Sequence, residues 1–213
     1  MGADPDRTTS IPVDGVTLEG VLEVPADATG LVAFAHGSGS SRKSPRNNYV
    51  ADVIRERGLG TLLFDLLTEE EDRVRENRFD ISLLTDRLIA ATAWLREQDA
   101  TEGLDVGYFG SSTGAAAALR AAARPGVDVE AVVSRGGRVD LAADAFANVR
   151  APTLLIVGGN DTEVLERNRA ASEQLAGETG LHVVEGAGHL FEGEGELEAV
   201  ADAAADWFDE HVQ

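Results

Sequence analysis

Six short apolar runs, separated by longer stretches of helical character, constrain this chain more than any other feature. They are LVAFAH (31–36), GTLLFD (60–65), DVGYFG (105–110), VEAVVS (129–134), TLLIVGG (153–159) and LHVVEG (181–186). Strands apolar along their whole length must be covered on both faces, which antiparallel sheets with one wet face do not require. The spacers at 47–58, 80–98, 113–124, 162–176 and 195–211 read as the covering helices. Within 80–98, Ile81, Leu84, Leu88, Ile89 and Leu95 recur near helical spacing. The expected fold is therefore a three-layer α/β/α sandwich with a mainly parallel sheet. VTLEGVLEV (16–24) adds an amino-terminal strand or hairpin, residues 1–14 read as an extension, and 15–213 as one domain. The acidic run TEEEDRVREN (68–77) reads as an exposed loop or helix. No insertion is long enough for a large lid.

In open parallel sheets ligands bind beyond the carboxyl ends of the strands. The segments there are HGSGSS, DLL, GSSTG, SRGGR, GGNDTE and GAGHLF. GSSTG completes Gly-x-Ser-x-Gly around Ser112, between a strand and the helix-forming run of Ala115 to Leu119. Alone the pentapeptide is a weak signal, and a helix N-cap would explain one of its serines. Strand, sharp turn and helix are nevertheless the setting of a nucleophile elbow, whose strained backbone needs small neighbours. A serine hydroxyl needs a base to take its proton and a third group to hold that base. Of four histidines, His189 directly follows the last strand, in a loop that also holds Gly186 and Gly188. Asp161 follows the TLLIV strand, although an aspartate before a helix is usually a cap. Ser112, Asp161 and His189 thus occur in the order Ser, Asp, His, each after a separate buried strand. Asp140 is the rival acid. Two backbone amides should serve the oxyanion: Thr113, directly after the nucleophile, and Ser38 or Gly39 in the HGSGSS loop. A phosphate loop of the GxxxxGK[ST] type is absent.

These segments, FAHGSGSS (34–41), GYFGSSTG (107–114), SRGGR (134–138), VGGNDTE (157–163) and GAGHLF (186–191), resemble the α/β-hydrolase superfamily. More narrowly, they resemble its compact dienelactone-hydrolase-like group, over residues 15–211. The resemblance implies hydrolysis of carboxylic esters or thioesters by a serine nucleophile. Dienelactone hydrolases proper use cysteine, which this chain lacks. The alternative is a ligand-binding or acyl-transfer protein on the same fold, with a weakened or redirected triad.

Composition narrows the partners. The net charge is −20, with 38 acidic and 18 basic residues, and Lys43 is the single lysine. Such a chain repels nucleic acid and anionic membranes. The acid-rich, lysine-poor balance suits proteins working in molar salt, where the screening length falls to about 3 Å. Without cysteine there are no disulfides and no thiolate metal site. No metal or other cofactor is expected. With no long apolar run and a polar start, the expected location is cytoplasmic. Arg42, Lys43, Arg46, Arg135 and Arg138 gather near the carboxyl edge of the sheet. Arg42 and Arg135, with Gly39, are the candidate substrate contacts for an anionic acyl group; pairing with surface acids is the other reading. Histidine-base chemistry predicts a rate that rises through roughly pH 6–8. Oligomeric state is not legible.

Overall fold

The computed structural model describes residues 8–212. Eight strands form one sheet in the order β1-β2-β4-β3-β5-β6-β7-β8. They are β1 (Thr8–Val13), β2 (Val16–Glu23), β3 (Gly30–Ala35), β4 (Gly60–Phe64), β5 (Asp105–Ser111), β6 (Ala131–Arg135), β7 (Thr153–Gly158) and β8 (Thr179–Val184). The first two are antiparallel to each other, and β2 is antiparallel to β4; every later pairing is parallel. The helices are α1 (Pro45–Glu56), α2 (Glu69–Asp72), α3 (Ile81–Leu95), α4 (Thr113–Ala122), α5 (Thr162–Ser172) and α6 (Glu196–His211), with a 3-10 stretch at Val139–Asn148.

The alternation of side chains along β3 builds both cores. Val32 and Phe34 point to the face where Val50 and Ile54 of α1 pack with Val200, Ala204 and Phe208 of α6. Leu31, Ala33 and Ala35 point to the other, against Leu84 and Leu88 of α3 and the alanines of α4. Both faces are covered, which is why the central strands carry no polar alternation. Small residues set the layer spacing. A Cβ on Gly107 would lie 2.7 Å from Phe208 Cε1, so α6 seats its ring directly on β5. Burying such a ring is worth roughly 1.5–3 kcal/mol.

The amino-terminal region departs from the sequence reading. Residues 8–13 are not an extension: they pair with β2 along their whole length, in register from Thr8↔Val21 to Val13↔Val16. Asp14 and Gly15, at φ 45° and 83°, make the tight turn that Asp-Gly favours in a hairpin. Ile11 and Val13 are buried, while Pro12 sits on the sheet edge where its missing N–H costs no ladder bond. Residues 1–7, also in the expected extension, lie outside the described part. No helix among the described residues is long and apolar enough to cross a membrane.

Candidate active site

Backbone geometry at the end of β5 follows from its glycines. A Cβ on Gly110 would lie 2.5 Å from Ala115 Cα, and one on Gly114 would lie 2.0 Å from the Ala35 carbonyl oxygen. Only glycine lets α4 turn back this closely onto β5 and β3. Between them Ser112 adopts φ 50°, ψ −117°, a conformation that costs a non-glycine residue about 1–3 kcal/mol. Its backbone is fastened on both sides. The Ser112 N–H donates to the Arg135 carbonyl at 3.1 Å, and its own carbonyl accepts from Ala115 and Arg138. Although Ser112 stands at the N-cap of α4, its hydroxyl makes no capping bond. Ser111 is spent elsewhere, donating to Asn47 Oδ1 of α1 at 3.2 Å.

A second cap reading falls the same way. Asp161 stands at the N-cap of α5 without capping it. Its Oδ2 lies 2.6 Å from His189 Nδ1. The loop carrying His189 is stapled to the Asp161 loop, since Asn160 donates to the carbonyls of Ala187 and Gly186. The short distance marks a charge-assisted bond in which Nδ1–H is the donor, leaving Nε2 as the acceptor. Asp140 is engaged elsewhere. It receives a bidentate bond from Arg138, which holds its carboxyl below the usual range against a smaller opposing effect of burial.

Ser112 and His189 line one cleft of about 520 Å³ together with Ser38, Gly39, Arg135 and Leu190. No hydrogen bond joins the Ser112 hydroxyl to the imidazole. Catalytic contacts of this kind often close only when substrate is bound. Gly136, at φ 54°, lets its loop pass beside the imidazole; a Cβ there would be 3.3 Å from Cε1.

Two expectations need correction. Arg42 does not face the cleft. Its guanidinium pairs with Asp65 and Glu19, and its own N–H donates to Asp65 Oδ1 at 2.7 Å. Two carboxylates already satisfy it, so it is a structural clasp between β2 and the loop after β4. The Ser38 amide, expected at the oxyanion position, donates to Thr113 Oγ1 at 2.9 Å. An N–H beside a hydroxyl takes the acceptor within reach. The amides of Thr113 and Gly39 have no such partner among the described residues. Arg135 does line the cleft, beside Ser112.

Two further residues hold the site and were not legible beforehand. Asn47 anchors Ser111. His36 is buried and joins two loops: its Nε2 accepts the Leu66 N–H at 3.0 Å, and Nδ1–H donates to the Gly37 carbonyl. Burial pushes its pKa below the ordinary value.

Such an elbow, at the carboxyl edge of a mostly parallel sheet and facing a histidine–aspartate pair, defines an α/β-hydrolase. The dienelactone hydrolase family model matches residues 60–213, and the chain belongs to that family. Its crystal-structure relatives include dienelactone hydrolase from Anabaena variabilis ATCC 29413, at 53% identity and TM-score 0.94, with 97% of each chain covered. Est1E from Butyrivibrio proteoclasticus shares the fold at 18% identity, TM-score 0.81, over 95% of this chain and 98% of its own. A Mycobacterium tuberculosis H37Rv protein, provisionally named a phosphoribosyl transferase, is 57% identical over 213 residues, 99% of this chain and 48% of its own length. The chain thus spans about half the length of that curated relative.

Proposed function

We propose that this hydrolase cleaves carboxylic esters, thioesters included, through an acyl-enzyme on Ser112. His189 takes the Ser112 proton through Nε2 as the hydroxyl attacks the carbonyl, then gives it to the leaving alkoxide or thiolate. Asp161 fixes the tautomer that makes this possible and stabilises the imidazolium. The Thr113 amide and one from the oxyanion loop receive the developing charge. Gly39 is the better-placed second donor, because Ser38 would first have to release the Thr113 hydroxyl. Water then enters, His189 deprotonates it, and the acid leaves as Ser112 recovers its proton.

One observation carries this reading: the 2.6 Å Asp161–His189 bond opens onto the same cleft as a strained serine whose hydroxyl is not spent on capping. Strain at a position that stability does not require is the usual mark of a nucleophile. Rates on short p-nitrophenyl esters test the proposal. Ser112→Ala and His189→Ala should each lose about 10⁴- to 10⁶-fold in kcat. Wild-type rates in Ser112→Ala would overturn it.

A further inference from the structure

The lining of the proposed catalytic cleft is at odds with the rest of the molecule. In a chain of net charge −20, three cations, Lys43, Arg46 and Arg135, and no carboxylate line the cleft among the described residues. Elsewhere the arginines are mostly spent on acids, as at Arg42, Arg55, Arg57, Arg87, Arg120 and Arg138. Among the described residues Arg135 has no carboxylate partner, and its Nη1 is sealed from solvent without a hydrogen-bond acceptor. A charged guanidinium with a buried donor left unpaired is costly, so an anion beside this side chain stabilises it. Burial, reinforced by the like charge of Arg46, pulls its pKa down to about 10. It therefore remains a cation at neutral pH.

The surroundings match. Lys43 stands on the ridge between this cleft and a neighbouring one that contains Asp65, Glu69 and Asp72, yet it pairs with none of them. Among the described residues Arg46 is tied only to the exposed Glu192, at 2.7 Å. Among the side chains that line the cleft, three cations answered by that one carboxylate leave two positive charges, while Asp161 is held against His189 Nδ1 and is not part of the lining. The amino-terminal turn of α1 opens on the same cleft through Ser44, Pro45 and Arg46, and it holds no acidic residue. A helix N-terminus adds a further positive partial charge.

We propose that the cleft contains, beside the ester-cleaving centre, a subsite for a phosphate monoester group of the substrate, bounded by Arg135, Lys43, Arg46 and the first turn of α1. This rests on the serine-hydrolase reading of the same cleft. A phosphate carries −1.5 to −2 charges and three acceptor oxygens, matching two excess charges and a guanidinium short of an acceptor. A monocarboxylate would leave one of those charges unanswered. The bond cleaved is unchanged; the phosphate anchors the substrate so that its carbonyl lies over Ser112.

Inorganic phosphate is the probe, titrated calorimetrically at fixed ionic strength into the wild-type chain and into Ser112→Ala. Both should bind it equally, because binding does not use the nucleophile. Arg135→Gln should weaken binding by about tenfold or more, and the surface variants Lys43→Ala and Arg46→Ala severalfold each. If Arg135→Gln fails to fold, the Lys43→Ala/Arg46→Ala double variant decides, with at least a tenfold loss expected. Absence of phosphate binding, binding indifferent to these substitutions, or tighter binding of succinate would each overturn the subsite. Phosphate binding retained in a protein that hydrolyses no ester would instead refute the catalytic reading and leave the subsite standing.

Discussion

Replacing Asp161 by asparagine tests the catalytic role proposed for that side chain apart from any structural one. The substitution is nearly isosteric, and Asp161 makes no capping bond to α5, so it sacrifices no helix stabilisation. Its one side-chain partner is His189 Nδ1 at 2.6 Å, and that imidazole is 40% exposed. The loss in folding stability should therefore stay within about 1 kcal/mol, the range of exposed ion pairs. Activity should respond very differently. An asparagine amide can donate to Nδ1 and so favour the Nε2–H tautomer, which cannot accept the Ser112 proton. A triad with the wrong tautomer loses about 10⁴-fold in kcat, or roughly 5 kcal/mol of transition-state stabilisation. The control is Asp140→Asn, which breaks a bidentate pair with Arg138 outside the cleft. It should reduce stability by about 0–1 kcal/mol and leave ester kinetics unchanged. Urea denaturation and p-nitrophenyl ester kinetics on both variants complete the assay. Near-wild-type kcat in Asp161→Asn, or collapse of kcat in Asp140→Asn, would refute the assignment.

Three further expectations follow from the same geometry. Arg42→Ala should destabilise the fold by about 1–3 kcal/mol, because Asp65 loses its charged partner, while KM for neutral and anionic esters stays the same; a large KM change confined to anionic esters would return Arg42 to the substrate site. His36 is held neutral by burial, so below the unfolded value near 6.5 the unfolded chain binds the additional proton. Stability should accordingly be flat above pH 7 and fall as pH drops below 6.5, by at most about 1.4 kcal/mol per pH unit from this group; denaturation midpoints in a His36→Gln background should lose that component. Finally, at −20 net charge the melting temperature should rise with potassium chloride as self-repulsion is screened. A melting temperature indifferent to salt would count against adaptation to high salt.

The fold was legible because buried parallel strands announce themselves by continuous apolarity, and the gaps between them have helical length. The hairpin strand β1 was not. Its three hydroxyl residues and Pro12 resemble a tail, and its pairing becomes evident only when β2 supplies a partner. In the site, the positions of Ser112, Asp161 and His189 came from strand ends and chain order. What those side chains were free to do did not. A serine or aspartate ahead of a helix reads as a cap, and only the missing capping bonds show otherwise. Arg42 and Arg135 look alike in sequence, each a basic residue at the carboxyl end of a strand or in the loop that follows it. The difference lies in long-range pairing: Asp65 and Glu19 reach Arg42, and no acid among the described residues reaches Arg135. Ser38 was misjudged for the same reason, since its amide partner, the Thr113 hydroxyl, is 75 residues away.

Covalent labelling with a fluorophosphonate probe, followed by peptide mass mapping, tests the central claim most directly. A single adduct is expected on the Ser112 peptide, strongly slowed in His189→Ala. An unlabelled protein, or an adduct on Ser111 or any other serine, would contradict it.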